Sequence, residues 1–195
     1  MNITTEQVKE LRDQTGVSIM QCKKALEEVG GDMEKARMIL RKNSASAASK
    51  KSERSLGAGI VGSYIHSNKK MGAIVEFFCE TDFVAQNPEF IETANDIAMH
   101  ITAMAPEFTR KEDIDEISTA KAKEFFMEEI AKSDKPTDIK EKILEGKLND
   151  FFAEKTLLNQ LFVKNPEITI EQLINQLIQK TGEKIEVGKF ARFTV

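Results

Sequence analysis

Two apolar runs lie only four residues apart in the middle of the chain, and they limit its fold more than any other feature. They are Gly59-Ile60-Val61-Gly62-Ser63-Tyr64-Ile65-His66 and Met71-Gly72-Ala73-Ile74-Val75-Glu76-Phe77-Phe78-Cys79, joined by Ser67-Asn68-Lys69-Lys70. Short β-rich runs joined by a polar turn read as an antiparallel hairpin. A third run, Ile185 to Val195, closes the chain as a strand, with Ile185, Val187, Ala191, Phe193 and Val195 expected on one face.

The sequence between these strands has helical spacing. Asn87 caps and Pro88 starts a helix whose stripe is Phe90, Ala94, Ile97, Ala98, Ile101 and Ala105. Further stripes follow at Ala122, Phe125, Phe126 and Ile130, then at Ile139, Ile143 and Leu144. The last helix pairs Thr169 with Gln172 as a capping box, carries Ile170, Leu173, Ile174, Leu177 and Ile178, and stops at Gly182. The expected fold class is α+β: a three-stranded antiparallel sheet covered by helices on one side, spanning residues 55–195.

Residues 1–54 read differently. Thr4 with Gln7, and Ser18 with Gln21, fit capping boxes, while Asp32 can cap a third helix. Gly16 and Gly30-Gly31 separate three short stripes: Val8 and Leu11; Cys22, Ala25, Leu26 and Val29; Met33, Ala36, Ile39 and Leu40. A three-helix module this small is only marginally stable, which points to work with a partner. The Ser/Ala/Lys-rich stretch from Asn43 to Ser55 has no apolar stripe and is expected to fray into a flexible linker.

Composition excludes several classes of function. Of 195 residues, 41% are hydrophobic and 31% charged, a globular balance, and the net charge of -4 attracts no nucleic-acid backbone. Lys50, Lys51 and Arg54 are too few for a phosphate-tracking arm. No basic start with an apolar run, membrane-length stretch or lipidation signal is present, so a cytoplasmic protein without a membrane partner is expected. Cys22 and Cys79 match no metal spacing, and Gly-rich phosphate loops, dinucleotide fingerprints and nucleophile elbows are missing. Neither a metal nor a cofactor is expected. His66 and His100 lack a neighbouring nucleophile; His100 reads as a packed side chain and Cys79 as a buried thiol.

One segment does not read as core. Cys79-Glu80-Thr81-Asp82-Phe83-Val84-Ala85-Gln86-Asn87 links the second strand to the Asn87-capped helix and places Asp82 and Phe83 at a strand-to-helix turn. Spacing alone favours Phe83 or Val84 folding back against Ile91 as a staple. A projecting Phe beside a carboxylate is otherwise a good interface anchor.

Several runs together resemble the elongation factor Ts family, in its short bacterial form. They are Leu11-Arg12-Asp13-Gln14-Thr15-Gly16, Cys22-Lys23-Lys24-Ala25-Leu26-Glu27, Thr81-Asp82-Phe83-Val84 with Asn87, Glu145-Gly146-Lys147-Leu148 and Gln160-Leu161-Phe162-Val163-Lys164. The likeness runs from Val8 to the last strand. It implies a ubiquitin-associated-like N-terminal module tethered to a dimerisation core, and guanine nucleotide exchange on elongation factor Tu without a catalysed chemical step. By the same resemblance, Thr81, Asp82, Phe83 and Val84 intrude near the partner's magnesium and phosphate site. Arg12, Met20, Lys23 and His66 match further partner contacts.

The chain departs from the family at Gln21, where an acidic residue is usual, at Leu161 for a common Pro, at Thr181 for Ile, and at the Gly188-Lys189 pair. Long members carry two core halves and a coiled-coil insertion. This chain has room for one half and no insertion, so the resemblance implies a homodimer and a two-plus-two complex. Two other readings stay open: an interaction module without exchange activity, and an enzyme using Cys79 with a histidine.

Overall fold

A computed structural model describes residues 3–131 and 136–195. Met1 and Asn2, which begin the stretch read for a leader, lie outside them. Three helices come first: α1 (Thr5–Thr15), α2 (Ile19–Glu28) and α3 (Met33–Ser49). Thr4 and Gln7 form the expected reciprocal box, and Gly16 ends α1 at φ 65°. At Ser18 only half of the expected box forms. Its side chain accepts from the Gln21 N–H, while the Gln21 side chain accepts from Gln179, 3.2 Å away on another helix. Val8, Leu11, Val17, Cys22, Ala25, Leu26, Ala36 and Leu40 make a separate small core.

The expected flexible linker is a helix for half its length. α3 continues to Ser49 because its far end has a surface to pack on. Ser44 is buried and donates to the Leu40 carbonyl and to Gln179, Ala48 packs on the main core, and the Lys51 ammonium reaches the Ile178 carbonyl at 3.4 Å. The small size and low polarity that make Ala and Ser poor stripe markers let two helices approach closely.

The remaining elements are β1 (Ala58–Ile65), β2 (Met71–Cys79), α4 (Asp82–Ala85), α5 (Pro88–Met104), α6 (Glu116–Ala131), α7 (Thr137–Lys155), β3 (Leu161–Phe162), β4 (Asn165–Thr169), α8 (Ile170–Thr181) and β5 (Glu186–Thr194). The fold is α+β, with an antiparallel sheet in the order β1-β2-β5. α5 lies across one face of it. Phe90 on α5 stacks on Phe77 of β2, with ring centroids 4.5 Å apart. At Gly62 the helix comes so close that a Cβ would sit 2.6 Å from the Ala94 backbone, which explains a glycine inside a strand. α8 adds Ile170, Ile174, Leu177 and Ile178 to the same core.

Three expectations need correcting. The face assigned to the last strand is broken by a bulge: Phe77 faces Val187 but Val75 faces Phe190, so β5 has one residue more than β2 there. Val187 and Phe190 therefore face the core, while Phe193 and Val195 are exposed. Ala105 is no part of the α5 stripe; it is exposed and caps the helix at φ 48°. On α6, Ala122 and Ile130 are buried but Phe125 is 67% exposed. α6 and α7, both expected as helices, pack on each other, with Phe126 edge-on to Phe151 at 5.6 Å. The short ribbon β3–β4 was not anticipated, being too short to show a period.

Candidate functional site

Thr81 ends the strand region in an extended conformation (φ -131°, ψ 154°) and caps α4, its hydroxyl accepting from the Val84 N–H. Val84 turns inward and is buried in the main core, as is Ala85. Phe83 lies between these fixed points and is 85% exposed. The staple reading thus holds for Val84 only to the extent that it is buried, and fails for Phe83. Asp82 is exposed beside it. A four-residue helix pinned at its cap and its third residue fixes the backbone from which the aromatic ring projects. A ring left 85% exposed forgoes most of its apolar burial, a cost of ~2 kcal/mol relative to full burial.

The backbone leading into this turn is tied down by charge. One Glu183 oxygen accepts from the Glu80 and Thr81 N–H groups, both at 3.1 Å, and the other accepts from the Thr81 hydroxyl at 2.6 Å. In return, Glu80 accepts from the Lys184 N–H at 2.5 Å and pairs with the Arg54 guanidinium at 3.2 Å. The Lys184 bond, followed by Arg54, holds the Glu80 carboxyl below its usual range despite some desolvation. Glu183 ends the Lys180-Thr181-Gly182-Glu183 run of the family likeness, but no sequence pattern assigns it a role, because its partners lie about a hundred residues away in the chain.

Arg12 and Lys23 are exposed and Met20 is 81% exposed, with Ile19 beside it at 56%. Met20 and Lys23 are neighbours on the outer face of α2 at i,i+3 spacing. Arg12 at the end of α1 is near enough that its charge acts on Cys22. Lys180 links this module to the turn region: it pairs with Glu89 at the start of α5, and a side chain at Gly16 would overlap its ammonium group.

His66 stands apart. It follows β1, with Nδ1 3.2 Å from the Tyr64 hydroxyl. The Thr81 turn follows β2 at the opposite end of the hairpin, roughly 27 Å away at ~3.4 Å per residue along the strand. The structure therefore brings Thr81 to Val84 together as one feature and sets Arg12, Met20 and Lys23 on a second surface and His66 on a third.

Of the side chains weighed for acid-base or nucleophilic work, Cys79 and His100 are buried and His66 is half-buried. Cys79 has no exposure; burial, then the nearby Glu183 carboxylate, pushes its thiol up, away from the reactive thiolate. His100 is also fully buried, with Nε2 2.9 Å from the Gln160 side-chain oxygen and Nδ1 accepting from the Val163 N–H at 3.2 Å. That pairing assigns a neutral ring with its proton on Nε2. Burial pushes the imidazole below its ordinary value of 6.5, with the Gln160 bond acting in opposition.

A stability prediction follows from this. The unfolded chain takes up a proton near pH ~6.5 that the folded chain refuses, so stability is retained above that value and falls as pH drops through it. The slope is at most one proton, about 1.4 kcal/mol per pH unit. Urea midpoints measured between pH ~7.5 and ~5.5 are expected to decline, and His100→Phe is expected to flatten that decline while lowering overall stability.

A small module with an exposed methionine is thus joined to an α+β core that holds a phenylalanine out in water. Comparison with known proteins shows what this chain is similar to. The profile of the family described as Elongation factor TS matches residues 48–195. An elongation factor Ts from Thermosipho melanesiensis is 49% identical over 193 residues, covering 99% of this chain and 98% of that protein. Those of Geobacter sulfurreducens and Koribacter versatilis are 47% and 48% identical over 195 residues, covering all of this chain and 90% and 89% of those proteins. The chain belongs to the elongation factor Ts family, and so to the translation elongation factors of protein biosynthesis. Among the described residues, no helix is long and apolar enough to cross a membrane.

Proposed function

We propose that this chain is a guanine nucleotide exchange factor that binds elongation factor Tu in the cytoplasm and promotes release of GDP, catalysing no chemical step itself. The observation that carries this reading is Phe83, 85% exposed at a turn whose backbone is pinned on both sides. An aromatic side chain projecting from a pinned backbone enters a partner's groove with less backbone entropy to lose, which favours an interface anchor. Phe83 wedges between partner helices. Asp82 brings a carboxylate toward the magnesium-binding region, and the phosphate-cradling backbone is re-aimed.

The N-terminal module, residues 1–54, is ubiquitin-associated-like and holds the partner's nucleotide domain through Arg12, Met20 and Lys23. The core, residues 55–195, supplies the Thr81–Val84 turn and His66. Contacts at both ends of the hairpin imply a broad interface rather than a single plug.

A second copy of the chain completes the assembly in a two-plus-two complex. The sheet face opposite α5 supports this, since Val61, Ile65, Phe193 and Val195 lie exposed on it and Ile74 is 46% exposed. Light scattering is expected to give twice the chain mass. A strictly monomeric mass with full exchange activity would contradict the dimer.

Exchange by binding has a thermodynamic signature. If the chain loosens GDP, GDP must loosen the chain by the same factor. Titration of elongation factor Tu with and without saturating GDP is expected to show affinity lower by about a hundredfold with nucleotide, a coupling of ~3 kcal/mol. Equal affinities would leave only a non-exchange interaction protein.

A further inference from the structure

We propose that Glu183 is a positioning residue for exchange, setting the angle at which the Asp82–Phe83 turn meets the partner; this rests on the exchange reading above. Glu183 follows Gly182, which ends α8 in the left-handed conformation at φ 77°. From there its carboxylate crosses to the end of β2 and takes three donors: the Glu80 and Thr81 N–H groups on one oxygen and the Thr81 hydroxyl on the other. No other side chain holds this pair of N–H groups in the described residues. The clasp is reciprocal, because the Glu80 carboxylate accepts from the Lys184 N–H at 2.5 Å.

The consequence for Phe83 is geometric. Its backbone is two residues from the clasped Thr81 N–H and one residue from Val84, which is anchored in the core. Core packing fixes the far side of the turn. On the near side Glu183 holds both N–H groups, while the Glu80 carboxylate is held by Lys184 and Arg54 and the Thr81 carbonyl accepts from the Cys79 thiol at 3.2 Å. Without the carboxylate, Thr81 keeps its cap bond to the Val84 N–H, so α4 can still form while its approach from β2 loosens. Phe83 would then sample several directions, and ordering them on binding would offset part of its contribution. Glu183 touches neither partner nor nucleotide in this scheme; it acts through Phe83.

The test compares wild type, Glu183→Ala, Glu183→Gln, Phe83→Ala and the double variant Glu183→Ala/Phe83→Ala in release of a fluorescent GDP analogue from elongation factor Tu. Amide hydrogen exchange is measured on the free chains. Gln retains an oxygen for the two N–H groups and is expected to keep exchange within about threefold of wild type. Ala is expected to lower the maximal rate at least about tenfold, with amide protection lost at Glu80 and Thr81 but kept across β1 and β2.

In the Phe83→Ala background, Glu183→Ala should add less than about twofold, because groups that act through one another are not additive. A Glu183→Ala rate equal to wild type, a Gln variant as poor as Ala, or full additivity in the double variant would each overturn the proposal. The failure of the exchange reading itself looks different: wild type would then not accelerate release, and both claims would fall together.

Discussion

Phe83→Ala is expected to remove most of the acceleration of GDP release while leaving the fold intact. Truncating a central aromatic anchor costs ~2–4 kcal/mol of binding, which corresponds to about thirtyfold or more in the rate or affinity that depends on it. The ring is 85% exposed in the free chain, so its removal deletes no core contact. Stability is therefore expected to change by no more than ~0.5 kcal/mol, as for most exposed substitutions. Stopped-flow release and urea denaturation on the same preparation separate the two effects. Loss of both together would mean that Phe83 is structural.

The opposite pattern is expected of Phe90, only seven residues along the chain. Phe90 is fully buried, stacked on Phe77, and lies at the point where α5 meets the sheet. Phe90→Ala leaves a cavity between two elements that cannot both close around it, and such changes cost ~3–5 kcal/mol. For a chain of this length that lowers Tm by roughly 6–20 °C. Denaturant unfolding followed by circular dichroism checks the value. A loss below ~1 kcal/mol would mean that α5 is not the main cover of the sheet. Below the melting temperature the exchange rate should stay near wild type, because α4 is anchored by Val84 and the Glu183 clasp. The two phenylalanines thus divide stability from function.

Much of this arrangement was legible in the sequence because its causes are local. The hairpin from Ala58 to Cys79 is set by two apolar runs and a short polar turn, and its register runs unbroken from Ala58–Cys79 to Ile65–Gly72. The caps at Thr4, Asp32, Asn87 and Thr169 form as read, each side chain accepting from an N–H two or three residues ahead. What was missed depends on distant partners. Ala48 and Ser44 look like linker residues until α8 lies beside them, and the Gly188-Lys189 bulge appears only once β5 is laid against β2.

The site divides in the same way. Local sequence placed Phe83 and Val84 at a strand-to-helix turn but could not say which would point inward. In the structure the core takes Val84 inward, and the Glu183 carboxylate holds Thr81 beside it. The link from turn to exchange came from resemblance, and residues 48–195 carry the family match that includes that turn.

The most direct measurement is the release of a fluorescent GDP analogue from elongation factor Tu as the wild-type chain is titrated in. The observed rate is expected to rise with chain concentration and to saturate, at a plateau well above the rate of the partner alone. A release rate unchanged at any concentration of the chain would contradict the account.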